Sequence, residues 1–438
     1  MKHSVHVLMY AYGKLTASFL NITISSIQSR GKVSQCNGER FLAISEVCYE
    51  ASSFRPNISW RTLENLRSKL QPDILSPQVA ASYLPSLNKV SRQASEVFPL
   101  SSDQPHEFTS RVAFDMFTAA ILGKSRGILF PETALKVDHE FIENSTVCMR
   151  TAGLLAYSPI ETMLQKYITT PQYKIFKDAT DKVYERSAEL VNEALDDDEK
   201  NSADSSTNTG NESYLRRLIR SGSLTSERAG LEVTSLLLAA VDTTSNYMNW
   251  LLLNLARNPE KQRILAEELR NVLKGDDFNK DVELPYLQAC YRECHRLTPV
   301  QTGIYRILQE DIVINEFMIP KGTKLTFNLI GVQYDPTYVE SPEMFLPERW
   351  LSEAVEKRKG TVAELLDHKL LSTPFSFGSR MCLGGRLAEM EIKSLIARIV
   401  QDYEFVLTED SPKTEAHEFL FLTPSPAPKY SIKKRRDE

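Results

Sequence analysis

The stretch Phe375–Val400, FSFGSRMCLGGRLAEMEIKSLIARIV, sets an aromatic residue, glycines, an arginine and a cysteine directly ahead of a run with helical apolar spacing. A cysteine at the start of a helix meets orphan backbone N–H groups and the positive end of the helix dipole, and Arg380 adds a nearby cation. Both favour the thiolate, which makes Cys382 a candidate soft anionic ligand for iron. The other cysteines, at 36, 48, 148, 290 and 294, show no CxxC pair and no repeated spacing, so neither a disulfide framework nor a zinc site is indicated. Cys290 and Cys294 stand one helical turn apart and read as packing residues.

Upstream, Ser226–Arg257 (SERAGLEVTSLLLAAVDTTSNYMNWLLLNLAR) is apolar nearly all round, which predicts a long helix in the centre of a large protein, ended by Asn258-Pro259. Its middle carries Asp242 beside Thr243. A buried carboxylate without a partner costs several kcal/mol, so Asp242 needs a use or a partner; the plainer alternative is a polar patch whose threonines bond back to the preceding turn. Between Thr302 and Asn328 the pattern turns to short strands, with Pro320-Lys321-Gly322 as a turn. Trp60–Ala194 reads as mainly helical, and Asp196–Asn211, nearly devoid of apolar residues, as a flexible solvated loop inside one domain.

The composition bounds the rest. In 438 residues, 52 Lys+Arg against 57 Asp+Glu leave a net charge of −5, and 42% hydrophobic residues suffice for a core. The one basic block is Lys433–Arg436, so no nucleic-acid footprint is present. Met1–Gly38 has no Asp or Glu and many Ser and Thr, the composition of a mitochondrial transit segment, and its apolar part is too interrupted to span a membrane. An atypical terminus is the alternative for that stretch.

Phe375, Gly378, Arg380, Cys382 and Gly384 match every fixed position of F-x-x-G-x-R-x-C-x-G, and the chain here resembles the haem-binding loop of the cytochrome P-450 family. Glu293 and Arg296 match that family's E-x-x-R, and Arg349 in FLPERW matches the arginine that completes its buried Glu-Arg-Arg cluster. The resemblance implies a mainly α fold with small β-sheets (α+β) and a single haem-binding domain over residues 60–438. It implies haem b with Cys382 as axial ligand to the iron, and Arg67, Arg306 and Arg380 beside the propionates. Asp242 and Thr243 fall on the family's proton-delivery pair, with Ala239, Val300 and Ile304 on its substrate pocket. An Arg67 propionate site would normally include a tryptophan four residues earlier; here it is Trp60, seven earlier. Residues 1–59 resemble nothing in the family and read as an incomplete or misassembled N-terminal part.

LPYLQACYRECHRLTP, FLPERWL and RMCLGGRLAEME look most like the mitochondrial vitamin D and steroid hydroxylase branch. That branch takes electrons from an adrenodoxin-type iron–sulfur ferredoxin, docked on basic residues that Arg292 and Arg386 match and Gln288 and Gly385 do not. The expected function is a monooxygenase acting with O2 on a lipophilic, sterol-like substrate, with peripheral association at the inner mitochondrial membrane. The alternative is a non-catalytic haem-binding chain.

Overall fold

The computed structural model describes residues 5–9, 18–22, 60–158, 168–202, 212–372, 374–378, 381–418 and 420–435. Helices dominate: α1 (Trp60–Leu70), α2 (Leu84–Val97), α3 (Pro105–Phe117), α4 (Lys136–Tyr157), α5 (Pro171–Ser202), α6 (Ser226–Arg257), α7 (Pro259–Leu273), α8 (Pro285–Leu297) and α9 (Gly385–Asp402), with shorter turns between. Sequence chemistry sets several of their ends. Thr225 Oγ1 accepts from Arg228 N–H at 3.3 Å to cap α6, and prolines open α3, α5, α7 and α8, where a missing N–H costs nothing.

The apolar helix α6 lies in the core, packed by α3, α4, α5, α8 and α9. Trp250, Leu251, Leu252, Leu253 and Leu255 are all essentially inaccessible. Its polar residues are answered by neighbours: Asn249 Nδ2 donates to Thr109 Oγ1 at 2.7 Å, and Trp250 Nε1 to the Leu422 carbonyl at 2.8 Å.

The strands are short and antiparallel. One sheet runs in the order β1 (Val5–Met9), β2 (Ser18–Ile22), β6 (Lys324–Asn328), β3 (Gly303–Ile307). In its register Ile304 faces Phe327 and Arg306 faces Leu325, while Ile22 meets Phe327 from the other side. Residues 5–9 and 18–22 thus contribute two strands to this sheet. The hairpin β4 (Ile312–Ile314) and β5 (Phe317–Ile319) turns at Asn315 and Glu316, and Gly322, at φ 82°, makes the turn before β6. Strands β7 (Tyr403–Leu407) and β10 (Tyr430–Lys434) pair together, as do β8 (Glu415–Glu418) and β9 (Leu422–Ser425).

Of the loop expected over 196–211, residues 196–202 are helical, because α5 continues to Ser202. Polarity of Asp196–Lys200 demands solvation but not unwinding: Asp and Glu are tolerated on an exposed helix face, and Asp197 pairs with Lys124 at 3.1 Å. Residues 203–211 lie outside the described residues.

Glu293 and Arg296, one turn apart on α8, both have 0% side-chain exposure and meet at 2.8 Å. All five N–H donors of Arg296 are placed: two on Glu293 and the others on the carbonyls of Gln333, Pro342 and Met344. Glu293 also accepts from Leu346 N–H and Arg349 Nε, both at 3.0 Å, and from Trp350 Nε1 at 2.8 Å. The cluster thus fastens α8 to the irregular segment 333–350. Removing one member strands a buried charge, at about 3–5 kcal/mol. Glu293→Ala is accordingly expected to lower stability in urea unfolding by that amount. Lys357→Ala, at an exposed pair with Glu353, should stay within about 0.5 kcal/mol; equal effects would contradict the cluster's role.

Candidate active site

Cys382 stands three residues before Gly385, the first residue of α9, with Gly384 as the cap position. Two hydrogen bonds shape the loop: Cys382 N–H donates to the Phe375 carbonyl and Met381 N–H to the Gly378 carbonyl, both at 3.0 Å. Gly378 sits at φ 79°, a left-handed conformation that disfavours other residues. Among the described residues, a Cβ at Gly378 or Gly384 would meet no atom within 4 Å beyond its chain neighbours, so the backbone there leaves room for a flat group to approach. At Gly385 the opposite holds, since a Cβ would come within 2.9 Å of the Phe375 ring. The glycines of one loop therefore serve different ends.

The Cys382 residue is exposed on one side and surrounded by protein on the others. Burial pushes its thiol up, against the N–H groups of Gly384 and Gly385 and the Arg67 guanidinium. The sequence reading had the helix end and Arg380 favouring the thiolate; Arg380 lies outside the described residues, and the helix-end amides with Arg67 act in that direction, but desolvation outweighs them. A thiolate here calls for a cation at the sulfur, as in ligation to iron. With room left along the backbone for a flat group, this donor set fits haem b.

Arg67 on α1 reaches the same loop, donating to the Met381 carbonyl at 2.6 Å. Arg306 lies on β3 and is half-buried. Arg380 and the side chain of Trp60 lie outside the described residues. Val300 packs on the main core, and its carbonyl accepts from Leu422 N–H at 2.8 Å. Ile304 packs instead on a satellite cluster of Leu329, Val332, Leu365 and Leu371.

On α6, Ala239, Ala240 and Thr243 continue at helical spacing a partly open stripe that begins at Leu231 and Ser235, while the helix beyond Thr243 is buried through Ala256. Thr243 Oγ1 donates back to the Ala239 carbonyl at 2.9 Å, the bond foreseen in the plainer alternative. Asp242, 3% exposed, has partners the sequence did not disclose: Ser145 Oγ donates to Oδ2 at 2.8 Å and Thr146 Oγ1 to Oδ1 at 3.3 Å. Burial raises its carboxyl to about 6, with those hydroxyls opposing. Serine and threonine on α4 carry no signal that marks them as partners of a residue nearly a hundred positions away.

Of the proposed docking arginines, Arg386 is exposed and lines a groove of about 480 Å³ with Gln288, Leu287, Met390 and Lys393. Arg292 is half-buried, its guanidinium 4.8 Å from the centre of the Trp350 ring.

A carboxyl whose folded value, about 6, exceeds its ordinary 3.8 takes up a proton on folding. Ionised Asp242 therefore costs stability above pH 6, and the cost disappears as pH falls below 3.8. Asp242→Asn should raise stability at pH 8 by up to about 3 kcal/mol and leave it unchanged near the acid end. Thermal unfolding across pH checks this; a pH-independent difference would contradict the assignment.

The family model for cytochrome P450 matches residues 54–432. A probable cytochrome P450 49a1 of Drosophila melanogaster is 31% identical over 78% of this chain and 59% of its own length. The mitochondrial sterol 26-hydroxylase of Homo sapiens is 30% identical over 82% and 68% respectively. The mitochondrial 1,25-dihydroxyvitamin D(3) 24-hydroxylase of Rattus norvegicus is 29% identical over 81% and 66%. The chain thus spans about three fifths to two thirds of the length of these curated relatives. With the loop at Cys382 and the buried Glu293–Arg296–Arg349 cluster in place, this chain belongs to the cytochrome P450 family.

Proposed function

We propose that the chain is a haem-thiolate monooxygenase of the mitochondrion that inserts one oxygen atom from O2 into a lipophilic, sterol-like substrate. Its electrons come from NADPH through a ferredoxin reductase and a small acidic iron–sulfur ferredoxin. The observation that carries this reading is the thiol of Cys382 at the head of α9, on a backbone loop fitted to a flat group, in a chain of the cytochrome P450 family. The names of the mitochondrial sterol and vitamin D relatives support the compartment and the substrate class. Among the described residues no helix is long and apolar enough to cross a membrane.

Haem b, held by Cys382, would supply oxygen activation and transfer of oxygen to carbon, with the thiolate sulfur as electron donor to the iron. The protein's share is placement and proton control. Cys382 provides the sulfur, and the N–H groups of Gly384 and Gly385 temper its charge. Phe375, Gly378 and Gly384 form the backbone seat, with Arg67, Arg306 and Arg380 as the cations for the propionates. Ala239 keeps the α6 wall small beside the substrate, which Val300 and Ile304 help to bound. Asp242 holds a proton close to neutral pH, and Thr243 offers a hydroxyl on the open stripe one residue on.

Arg386 and Arg292 present positive charge to the ferredoxin. Gln288 carries no charge, and Gly385 has no room for a side chain beside Phe375. Docking therefore leans on few charges and should be sensitive to each.

Two measurements test the reading. The reduced, purified chain should show the red-shifted carbon monoxide difference band that gives the family its name, and Cys382→Ser should abolish it; absence of the band from the parent chain would overturn the proposal. In NADPH turnover with ferredoxin and its reductase, Arg386→Glu should raise the KM for ferredoxin about tenfold at low salt, with the difference shrinking as salt rises. An unchanged KM would remove Arg386 from the docking surface.

A further inference from the structure

We infer that Ser145 and Thr146 of α4 are positioning residues through which the buried Asp242 carboxyl exchanges protons with water. The inference rests on the reading of Asp242 as a proton donor given above.

The first argument is where the partners come from. Helix α6 spends its own neighbouring donors elsewhere. Thr243 Oγ1 binds the Ala239 carbonyl, while Ser245 Oγ and Asn246 Nδ2 both bind the backbone carbonyl of Asp242 at 3.1 and 2.9 Å. Among the described residues, the carboxylate oxygens are bonded only from α4, one by Ser145 and the other by Thr146.

The second argument is the chemistry of those partners. A guanidinium or ammonium in their place would hold the carboxylate ionised and refuse it a proton. A hydroxyl donates to the ionised carboxylate and accepts from the neutral acid, so both protonation states keep a partner. Helices α3, α4, α5, α8 and α9 all pack on α6, yet among the described residues no ionisable side chain on them contributes to the acidity of Asp242. Burial and the two hydroxyls set it, which places the group near neutral pH.

The third argument is direction. Ser145 is fully buried and its bond at 2.8 Å is the tighter; it fixes the rotamer. Thr146 is only partly buried, next to the exposed Val147, and its bond at 3.3 Å is loose. The route to solvent therefore runs over Thr146. A hydronium gives its proton to Thr146 Oγ1 as the proton already there passes to Asp242 Oδ1. Water leaves, the threonine is unchanged and the carboxylate becomes the acid; discharge is the reverse.

Infrared spectroscopy of the purified holoprotein tests this without turnover. The carbonyl band of the neutral Asp242 acid, assigned by its loss in Asp242→Asn, is followed against pH and after transfer to heavy water. Ser145→Ala should move the protonation midpoint up by about one pH unit, since a donor to the ionised form is lost. Thr146→Val, which keeps the shape, should slow the exchange-induced shift of the band by at least about tenfold, and Thr146→Ser should restore it. A midpoint indifferent to Ser145→Ala, or an exchange rate indifferent to Thr146→Val, would overturn the inference. A normal titration in a chain that never turns over would instead count against the proposed function.

Discussion

The buried carboxylate of Glu293 is the constraint on which the rest depends. It accepts from Arg296, Arg349, Trp350 and the Leu346 amide, and none of these bonds is a surface pair that water could replace. Segment 333–350 has few regular hydrogen bonds of its own, so its backbone amides and carbonyls are satisfied partly by side chains of α8. Trp350 carries the effect outward, because its ring is flanked by Arg292 and Arg358 while its N–H is held inside. Arg358 in turn clasps Asp367. Two half-buried arginines and a fully buried carboxylate thereby share one aromatic side chain.

A second theme is that α6 departs from its apolar pattern where the site requires it. Most of the helix is core, and most of its polar side chains have specific partners: Asn249 with Thr109, Asn254 with Thr298, Asp242 with Ser145. The helix thus serves both as the centre of packing and as the wall of the candidate site. Small residues at 239 and 240 leave the stripe beside Thr243 partly open.

Much of this was legible in the sequence because the signals were either periodic or compact. The apolar run predicted α6 at about its observed ends, with Asn258-Pro259 marking where it stops. The Cys382 loop was legible because its residues lie within ten positions. Glu293 and Arg296 were legible as a spaced pair, with Arg349 supplied by the family pattern. What the sequence concealed was tertiary pairing. Ser145 and Thr146 sit on a helix with ordinary amphipathic spacing, and nothing local distinguishes hydroxyls that reach a carboxylate from those that cap or bond back. The end of α5 was misjudged for another reason: a run of acids was taken as a loop, although charge on an exposed helix face is compatible with regular structure. Burial also reversed the expected balance at Cys382, because sequence shows a helix start and a nearby cation but not how much protein surrounds the sulfur.

The contact between Gly385 and the Phe375 ring carries a consequence for how such a chain can change. The ring belongs to the segment whose carbonyl receives the Cys382 amide, and it occupies the volume that any side chain at 385 would need. Adding a positive group there to strengthen attraction for an acidic protein would move the aromatic ring first, and with it the peptide that orients the sulfur. Position 385 is therefore coupled to 375: a side chain there has to come with a shift of the ring, whereas the surface can be retuned at Gln288 or around Arg386 without touching it.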